Sequence, residues 1–156
     1  DLLNEEEVWK VILELSQDVG HRLRVHGLSA RTVQVGVRGN NLFGSQFQCK
    51  LPYKTQLPYE IAATAFKAFK EHYKWGTKVR AVTVRAIELV PKNQPEQLTL
   101  FVDQAQRDKR ERLQGAIEEI RGRFGKRAIT NAILLGDLKM PDDGRDTVKM
   151  PGLMYR

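Results

Sequence analysis

Cysteine and histidine are scarce in this sequence. Its 156 residues include one cysteine, Cys49, and three histidines. A single cysteine excludes an internal disulfide and is typical of a reducing, cytoplasmic compartment. The histidines are scattered, and they do not combine with the cysteine into a metal-ligand spacing. The sequence therefore predicts no metal site and no cofactor.

Long hydrophobic runs are absent as well. The longest purely apolar runs have four residues, as in 132–135, and no signal peptide opens the chain. We therefore expect no membrane partner. The length suggests one domain with appendages. Because the sequence begins at Asp1 rather than at a methionine, we expect a fragment of a longer protein.

The usual signatures of catalysis are also missing. The sequence has no Gly-rich phosphate loop, no HExxH pattern and no pairing of a nucleophile with a base. Glu118 and Glu119 are neighbours on a predicted helix, where adjacent side chains diverge by about 100° and do not converge on one metal. Asp142 and Asp143 lie in a loop rich in Gly and Pro. We therefore predict no catalytic residue.

Positive charge is the first feature that the sequence does have. Lysine and arginine number 26 against 19 aspartates and glutamates, which gives a net charge of +7. A basic balance favours polyanionic partners such as nucleic acid, because each neutralised phosphate releases counterions. A protein that is merely basic is the alternative, and charge alone leaves both open.

A helix is predicted near the start of the chain. Asn4 can cap it, and Glu7 follows three residues later as in a capping box. Apolar residues then recur at helical spacing until Gly27, a typical C-terminal stop. We expect the helix to run from about Glu5 to His26.

Two strands are predicted next. Residues 32–38 and 46–51 both alternate between apolar and polar side chains, on either side of the turn-rich segment 39–44. Together they predict a hairpin with one apolar face and one polar or basic face. Cys49 lies on the apolar face, which predicts an inert, buried thiol.

A second helix and a long strand complete the predicted domain. Pro58 marks the first turn of the helix, which stops at Gly76. The strand covers 78–90, and its apolar phase shifts near Ala81, which predicts a bulge there. The order helix, two strands, helix, strand predicts an α+β fold, an antiparallel sheet with two helices on one face.

The other face of this sheet is the candidate DNA interface. Lys and Arg supply charge there, while Gln and Thr add hydrogen bonds that position a protein on a duplex without reading its sequence. An ordinary solvated face is the alternative, in a protein-interaction domain whose basic face does not bind DNA. The predicted DNA-binding residues are Arg31, Thr32, Gln34, Arg38, Gln48, Lys50, Lys78, Arg80, Thr83 and Arg85.

The last third of the chain is less regular. Segment 91–96 reads as a stiff linker because it contains two prolines. A third helix is predicted from near Asp103 to Gly125. Its apolar stripe is interpreted as core contact, with a partner-docking face as the alternative. The stripe consists of Leu113, Ala116, Ile117, Ile120 and Phe124.

An apolar pair lies between this linker and the third helix, in the segment Gln97-Leu98-Thr99-Leu100-Phe101. Such a segment suits a peptide that inserts into an apolar pocket in extended form. Burial of Leu100 and Phe101 would each contribute about 1.5–3 kcal/mol, enough for the anchors of a weak peptide site. A strap across the protein's own core is the alternative, and spacing alone does not separate the two.

Several segments in a fixed order carry a family resemblance. They are 15–24, 27–28, 31–38, the second helix, Trp75, 79–84, 97–101 and 116–126. In this order they resemble the C-terminal part of Y-family translesion DNA polymerases of the DNA polymerase IV, UmuC and UvrX type. The resemblance covers about Glu5 to Ile129.

The resemblance implies a non-catalytic part of a DNA-repair polymerase. It implies a little-finger domain over 1–90 that holds template–primer DNA by its backbone. Over 91–102 it implies a linker that docks to the bacterial sliding clamp, and over 103–156 a C-terminal helix and irregular tail. The clamp-binding residues that it implies are Gln97, Leu98, Leu100 and Phe101.

Two features depart from the family pattern. The catalytic palm with its metal-binding carboxylates is absent, so we expect no polymerase activity from this chain alone. The little finger's strand before the first helix is also missing, which would leave backbone groups unpaired. We therefore hypothesise that residues 128–135, residues 147–150 or a strand from a second molecule, in a homodimer or strand swap, fills that position.

Overall fold

The computed structural model describes residues 1–97 and 103–140. Three α-helices and three strands make up most of this part of the chain, and two 3₁₀ helices follow them. In chain order they are α1 (Glu5–Val25), β1 (Leu28–Gly39), β2 (Gly44–Thr55), α2 (Pro58–His72), β3 (Val79–Pro91), α3 (Gln104–Phe124), η1 (Lys126–Ala128) and η2 (Ala132–Leu134).

Helix α1 forms where the capping residues predict it. The side-chain oxygen of Asn4 accepts a hydrogen bond from the backbone N–H of Glu7 at 2.9 Å. The carboxylate of Glu7 in turn accepts one from the backbone N–H of Leu3 at 2.7 Å. Gly27, with φ +64°, follows the end of the helix in the left-handed conformation that glycine tolerates best. The helix prediction is confirmed.

The three strands form one antiparallel sheet in the order β2-β1-β3. Both outer strands pair with β1, whose Val33, Val35 and Val37 are buried beneath α1 and α2. Strands β1 and β2 are longer than the predicted alternating segments. Their register shifts between Ala30 and Thr32, which interrupts the period of two although the pairing continues to Thr55.

Helices α1 and α2 cover one face of the sheet. Val8 and Ile12 of α1 and Ile61 of α2 are completely buried, and Phe69 of α2 nearly so. Ring stacking between Phe69 and Tyr73, with centroids 5.0 Å apart, extends this core toward the end of α2. The predicted α+β architecture, with two helices on one face of an antiparallel sheet, is confirmed.

Helix α3 lies antiparallel to α1 and meets it through polar groups. Arg24 contacts Glu111 at 3.4 Å, and Lys126, just beyond α3, contacts Glu14 at 2.6 Å. No residue of α3 is buried. The prediction that its apolar stripe makes core contact is therefore wrong, because the polar side of the helix faces α1. Leu113, Ile120 and Phe124 are instead 61%, 37% and 74% exposed.

The segment after α3 continues along α1 toward its N-terminus. Leu134 is buried in the main core, and Lys139 donates to Glu7 at 2.7 Å. That hydrogen bond, followed by the one from the backbone of Leu3, lowers the pKa of Glu7 below its usual range. The part of the tail up to residue 140 is therefore fastened to α1.

Within residues 1–97 and 103–140 the sheet has three strands, and no described segment adds a fourth. At the outer edge of β3, Leu2 forms an isolated bridge with Val79 through hydrogen bonds of 2.6 and 3.1 Å. Residues 128–135 do not provide a further strand, because they form parts of two 3₁₀ turns and Leu134 packs into the core. Residues 147–150 lie outside the described part of the chain.

Candidate nucleic-acid interface

The outer face of the sheet is built from cross-strand rows of polar side chains. In the central row, Gln34 of β1 lies between Gln48 of β2 and Arg85 of β3. The guanidinium of Arg85 donates to the side-chain oxygen of Gln34 at 3.4 Å. The next row places Gly36 between Gln46 and Thr83. Because side chains alternate along a strand, these rows face away from the valines of the core.

Six of the predicted residues are cationic and exposed. None of them forms an ion pair within residues 1–97 and 103–140, so their charges are not neutralised by nearby carboxylates there. Such side chains can approach phosphates without first giving up a carboxylate partner. The six are Arg31, Arg38, Lys50, Lys78, Arg80 and Arg85.

A bulge in β3 decides which of its side chains reach this face. The register shifts between Arg38 and Gly39, opposite Val79–Ala81, as predicted near Ala81. The extra residue lets Val79 and Val84 both be buried in the core. Arg80, Thr83 and Arg85 are exposed as a result.

Thr32 differs from the other predicted residues. It is only 4% exposed, and its hydroxyl donates to the carboxylate of Glu88. Glu88 has φ +52°, an uncommon conformation for a residue other than glycine. This pairing occupies the Thr32 hydroxyl, so the polar contacts of the interface rest on its neighbours. Gln34 is half-buried, while Gln48 and Thr83 are exposed.

The predicted clamp-binding residues fall partly outside the described residues. Gln97 is exposed, whereas Leu98, Leu100 and Phe101 belong to the segment 98–102 that the structure does not describe. On one side of that segment, Glu96 accepts a hydrogen bond from the backbone N–H of Lys54 at 3.3 Å. The residues just before segment 98–102 are therefore tied to the end of β2.

The C-terminal flank is tied to the same place. Arg107 of α3 donates to the carbonyl oxygen of Lys54 at 3.3 Å, and its guanidinium lies 4.4 Å from the centroid of the Tyr53 ring. The ammonium of Lys54 also donates to the carbonyls of Lys92, at 2.8 Å, and Gln94. Described residues on both sides of segment 98–102 thus contact one short stretch of β2.

Sequence reasoning missed Tyr53, Lys54 and Arg107. Their partners lie between 38 and 54 residues away along the chain (107 − 53 = 54 for Arg107 and Tyr53), so no local periodicity could reveal them. Arg107 belongs to the fully charged run 107–112, a pattern that is typical of a solvated helix face.

Other kinds of site find little support in the described residues. Within 1–97 and 103–140, no cluster of three or more His, Cys, Asp or Glu side chains is arranged to hold a metal ion. In the same part of the chain, no helix combines the length and the apolar character that crossing a bilayer requires.

Comparison with known proteins gives a consistent family signal. Residues 1–100 match the impB/mucB/samB family C-terminal domain. DNA polymerase IV of Acetivibrio thermocellus is 38% identical over 88% of this chain and 34% of its own length. DNA polymerase IV 2 of Halalkalibacterium halodurans is 32% identical over 85% and 32%. UvrX of Bacillus subtilis is 28% identical over the same shares. The chain spans about a third of the length of these curated relatives.

Proposed function

Because the chain belongs to the impB/mucB/samB C-terminal domain family, the C-terminal part of Y-family polymerases, we propose that it grips template–primer DNA and docks to the bacterial sliding clamp. The grip is on the phosphate backbone and is independent of sequence. The clamp contact tethers the parent polymerase, so that a weak peptide site acts at a high local concentration. The partners are thus DNA and the clamp.

The proposed role is not catalytic. Two of the three relatives are named as DNA polymerases, but this chain corresponds to only about a third of their length. We assign nucleotide transfer to the remaining two thirds of the parent protein. The purified chain should therefore extend no primer, while a full-length parent should do so under the same conditions.

One observation supports the DNA grip above all: six cations that form no ion pair within residues 1–97 and 103–140 lie on or beside a single sheet face. Between them, Gln34, Gln48 and Thr83 offer hydrogen bonds at the positions of the central rows. Contacts of this kind fix a protein on a duplex but carry no base information. They suit a polymerase part that must hold damaged templates of any sequence.

The grip is tested by measuring DNA affinity against salt concentration. For wild type, the logarithm of the affinity should fall linearly with the logarithm of salt, with a slope of about −0.9 per neutralised phosphate. Arg80→Glu with Arg85→Glu should weaken binding and flatten the slope. Lys67→Glu with Lys70→Glu is the matched control, because both lysines are exposed on α2 beside Glu71 and Glu5. A flat wild-type response would contradict the proposed grip.

The clamp assignment is supported by the anchored flanks of segment 98–102. The backbone of Lys54 binds Glu96 before the segment and Arg107 after it. Leu100→Ala with Phe101→Ala should abolish binding to the bacterial sliding clamp and leave DNA affinity intact. A loss of thermal stability with unchanged clamp binding would favour the alternative, a strap across the protein's own core.

A second candidate function is a protein-interaction domain whose basic face meets no DNA. It is favoured by the exposed side chains of Leu113, Ile120 and Phe124 on α3. A second copy of the chain is one such partner, in a homodimer or through a strand swap at the edge of β3. Sedimentation equilibrium tests self-association, and a monomer at all concentrations would contradict both the homodimer and the strand swap.

A further inference from the structure

A groove of about 520 Å³ opens at one end of the sheet. Its walls come from three parts of the chain, and the lining residues are Leu3, Asn40, Trp75, Gly76, Thr77 and Lys78. Hydrogen bonds hold these parts together. The backbone N–H of Asn40 donates to the carbonyl of Lys78 at 2.9 Å, and Leu2 is paired with Val79. The groove is therefore formed before any ligand arrives.

Trp75 is the aromatic side chain of this groove. Its ring stands nearly perpendicular to Phe69, with centroids 5.9 Å apart, and to Tyr73, at 5.5 Å. The hydroxyl of Tyr73 also donates to the carbonyl of Thr77 at 3.1 Å, which fixes the loop that carries the indole. Although two rings position it, Trp75 remains 40% exposed. A fixed, exposed indole provides a surface on which a flat ring can stack.

Polar and cationic groups surround this surface. The amide of Asn40 can both donate and accept hydrogen bonds, and Lys78 carries a positive charge at the groove's rim. Lys78 lies two residues before Arg80, which belongs to the candidate DNA interface. A stacking ring, an amide and a cation are the groups that recognise a nucleobase together with its phosphate.

A second groove lacks the free positive charge of the Trp75 groove. It has a volume of about 650 Å³ between α1 and α2, and its lining includes Trp9, Tyr59 and Phe66. Its lysines, however, already have partners, because Lys67 lies 3.8 Å from Glu71 and Lys70 lies 3.5 Å from Glu5. It also lies on the helical side of the domain, away from the polar sheet face. The Trp75 groove has the free charge and the continuity that this one lacks.

We infer that the Trp75 groove binds one unpaired nucleobase of single-stranded DNA, an assignment that rests on the proposed DNA-binding function. The base stacks on Trp75, its edge meets the amide of Asn40, and Lys78 contacts the adjacent phosphate. A paired base inside a duplex cannot enter, because both of its faces are already stacked. The domain should consequently prefer DNA with an unpaired template strand over a blunt duplex.

Tryptophan fluorescence gives a direct test. The chain has two tryptophans, so Trp9→Phe leaves Trp75 as the single reporter. This variant is titrated with an oligothymidine single strand, with a template–primer that has a single-stranded overhang, and with a blunt duplex. The first two should quench the fluorescence of Trp75, and the blunt duplex should not.

Two variants test the contribution of the groove to affinity. Trp75→Leu should weaken single-strand binding by between about fivefold and a hundredfold, the range typical of base–aromatic stacking. Its salt slope should stay unchanged because the indole is neutral. Since this change also removes ring contacts with Phe69 and Tyr73, Asn40→Ala provides a second variant at an exposed position. Tyr59→Leu, in the other groove, is the matched aromatic control and should bind DNA like wild type.

The possible outcomes separate this inference from the proposed function. If wild type binds blunt duplex with a steep salt dependence but shows no preference for unpaired strands, the groove assignment is wrong and the backbone grip survives. Wild-type single-strand affinity in both Trp75→Leu and Asn40→Ala would also overturn the assignment. Absence of salt-dependent binding to any of the three DNAs overturns the groove and the grip together.

Discussion

Helices α1 and α3 have the same length of 21 residues, yet the protein holds them in different ways. Helix α1 buries nine residues, whereas α3 buries none. Ile12 of α1 is completely enclosed between the second helix and the sheet, while Ile120 of α3 is 37% exposed. Amphipathic periodicity is present in both helices. Only in α1 does the apolar stripe face the core.

The contacts of α3 are instead charged or polar. His21 and Glu118 are 2.6 Å apart, and Arg121 donates to the side chain of Gln17 at 2.9 Å. Partly exposed ion pairs such as Arg24–Glu111 contribute about 0–1 kcal/mol each, less than a fully buried aliphatic side chain at about 1.5–3 kcal/mol. We therefore expect α3 to detach from α1 while the rest of the domain stays folded.

The largest expected difference comes from removing one isoleucine from each helix. Ile12→Ala should lower the free energy of unfolding by about 2–5 kcal/mol, because it creates a cavity in a close-packed core. Ile120→Ala should change it by less than about 0.5 kcal/mol, as for other surface sites. Urea denaturation followed by circular dichroism measures both. Equal losses in the two variants would mean that α3 is part of the cooperative core.

A smaller and local effect is expected at Arg121. Its guanidinium donates to Gln17 and twice to the carbonyl of Ile129, at 3.1 and 2.9 Å. Arg121→Ala should cost about 1.5–3 kcal/mol, the usual range for a hydrogen bond to a charged group. The cost should appear as faster amide hydrogen exchange in α3, with protection of α1 unchanged. Arg123→Ala is the control, because Arg123 pairs with Glu119 within α3. Exchange in α3 that is equally fast in Arg123→Ala would contradict the role of Arg121.

The smallest effect concerns pH and Lys126. Burial lowers the pKa of this lysine, but its hydrogen bond to Glu14 and the charges of Asp18 and Glu14 outweigh burial and raise the pKa above 10.5. A raised folded-state pKa stabilises the attached form fully below pH 10.5, and this stabilisation is lost as pH rises through the raised value. The protection of the segment after α3 against exchange, relative to the intrinsic rate at each pH, should therefore fall in that window. This fall should disappear in Lys126→Gln, and its persistence there would assign it to another group.

Much of the fold could be predicted from local signals. Asn4 and Glu7 mark the start of α1, and their hydrogen bond is present at 2.9 Å. The phase shift near Ala81 predicted the bulge that exposes Arg80 and Arg85. These predictions succeeded because capping and side-chain alternation act between residues close together along the chain.

The candidate site could be predicted only in part. The exposed cations of the sheet were identified from alternation, but Thr32 was assigned to the interface although Glu88 engages its hydroxyl. Trp75 carried only a family resemblance in the sequence. Its groove exists because the chain start, the β1–β2 turn and the start of β3 meet in space. No local sequence pattern predicts that these distant segments become neighbours.

The sequence by itself determined the helices, the hairpin, the bulge and the basic sheet face, because each depends on periodicity or on neighbouring residues. The tertiary structure alone decided which side of α3 faces α1. It also decided that Lys54 anchors both flanks of segment 98–102 and that Trp75 lines an open groove. These features depend on side chains that are distant along the chain and become neighbours only when the core forms. An apolar stripe shows that a helix has two faces, but the competing contacts of the folded protein select which one is buried.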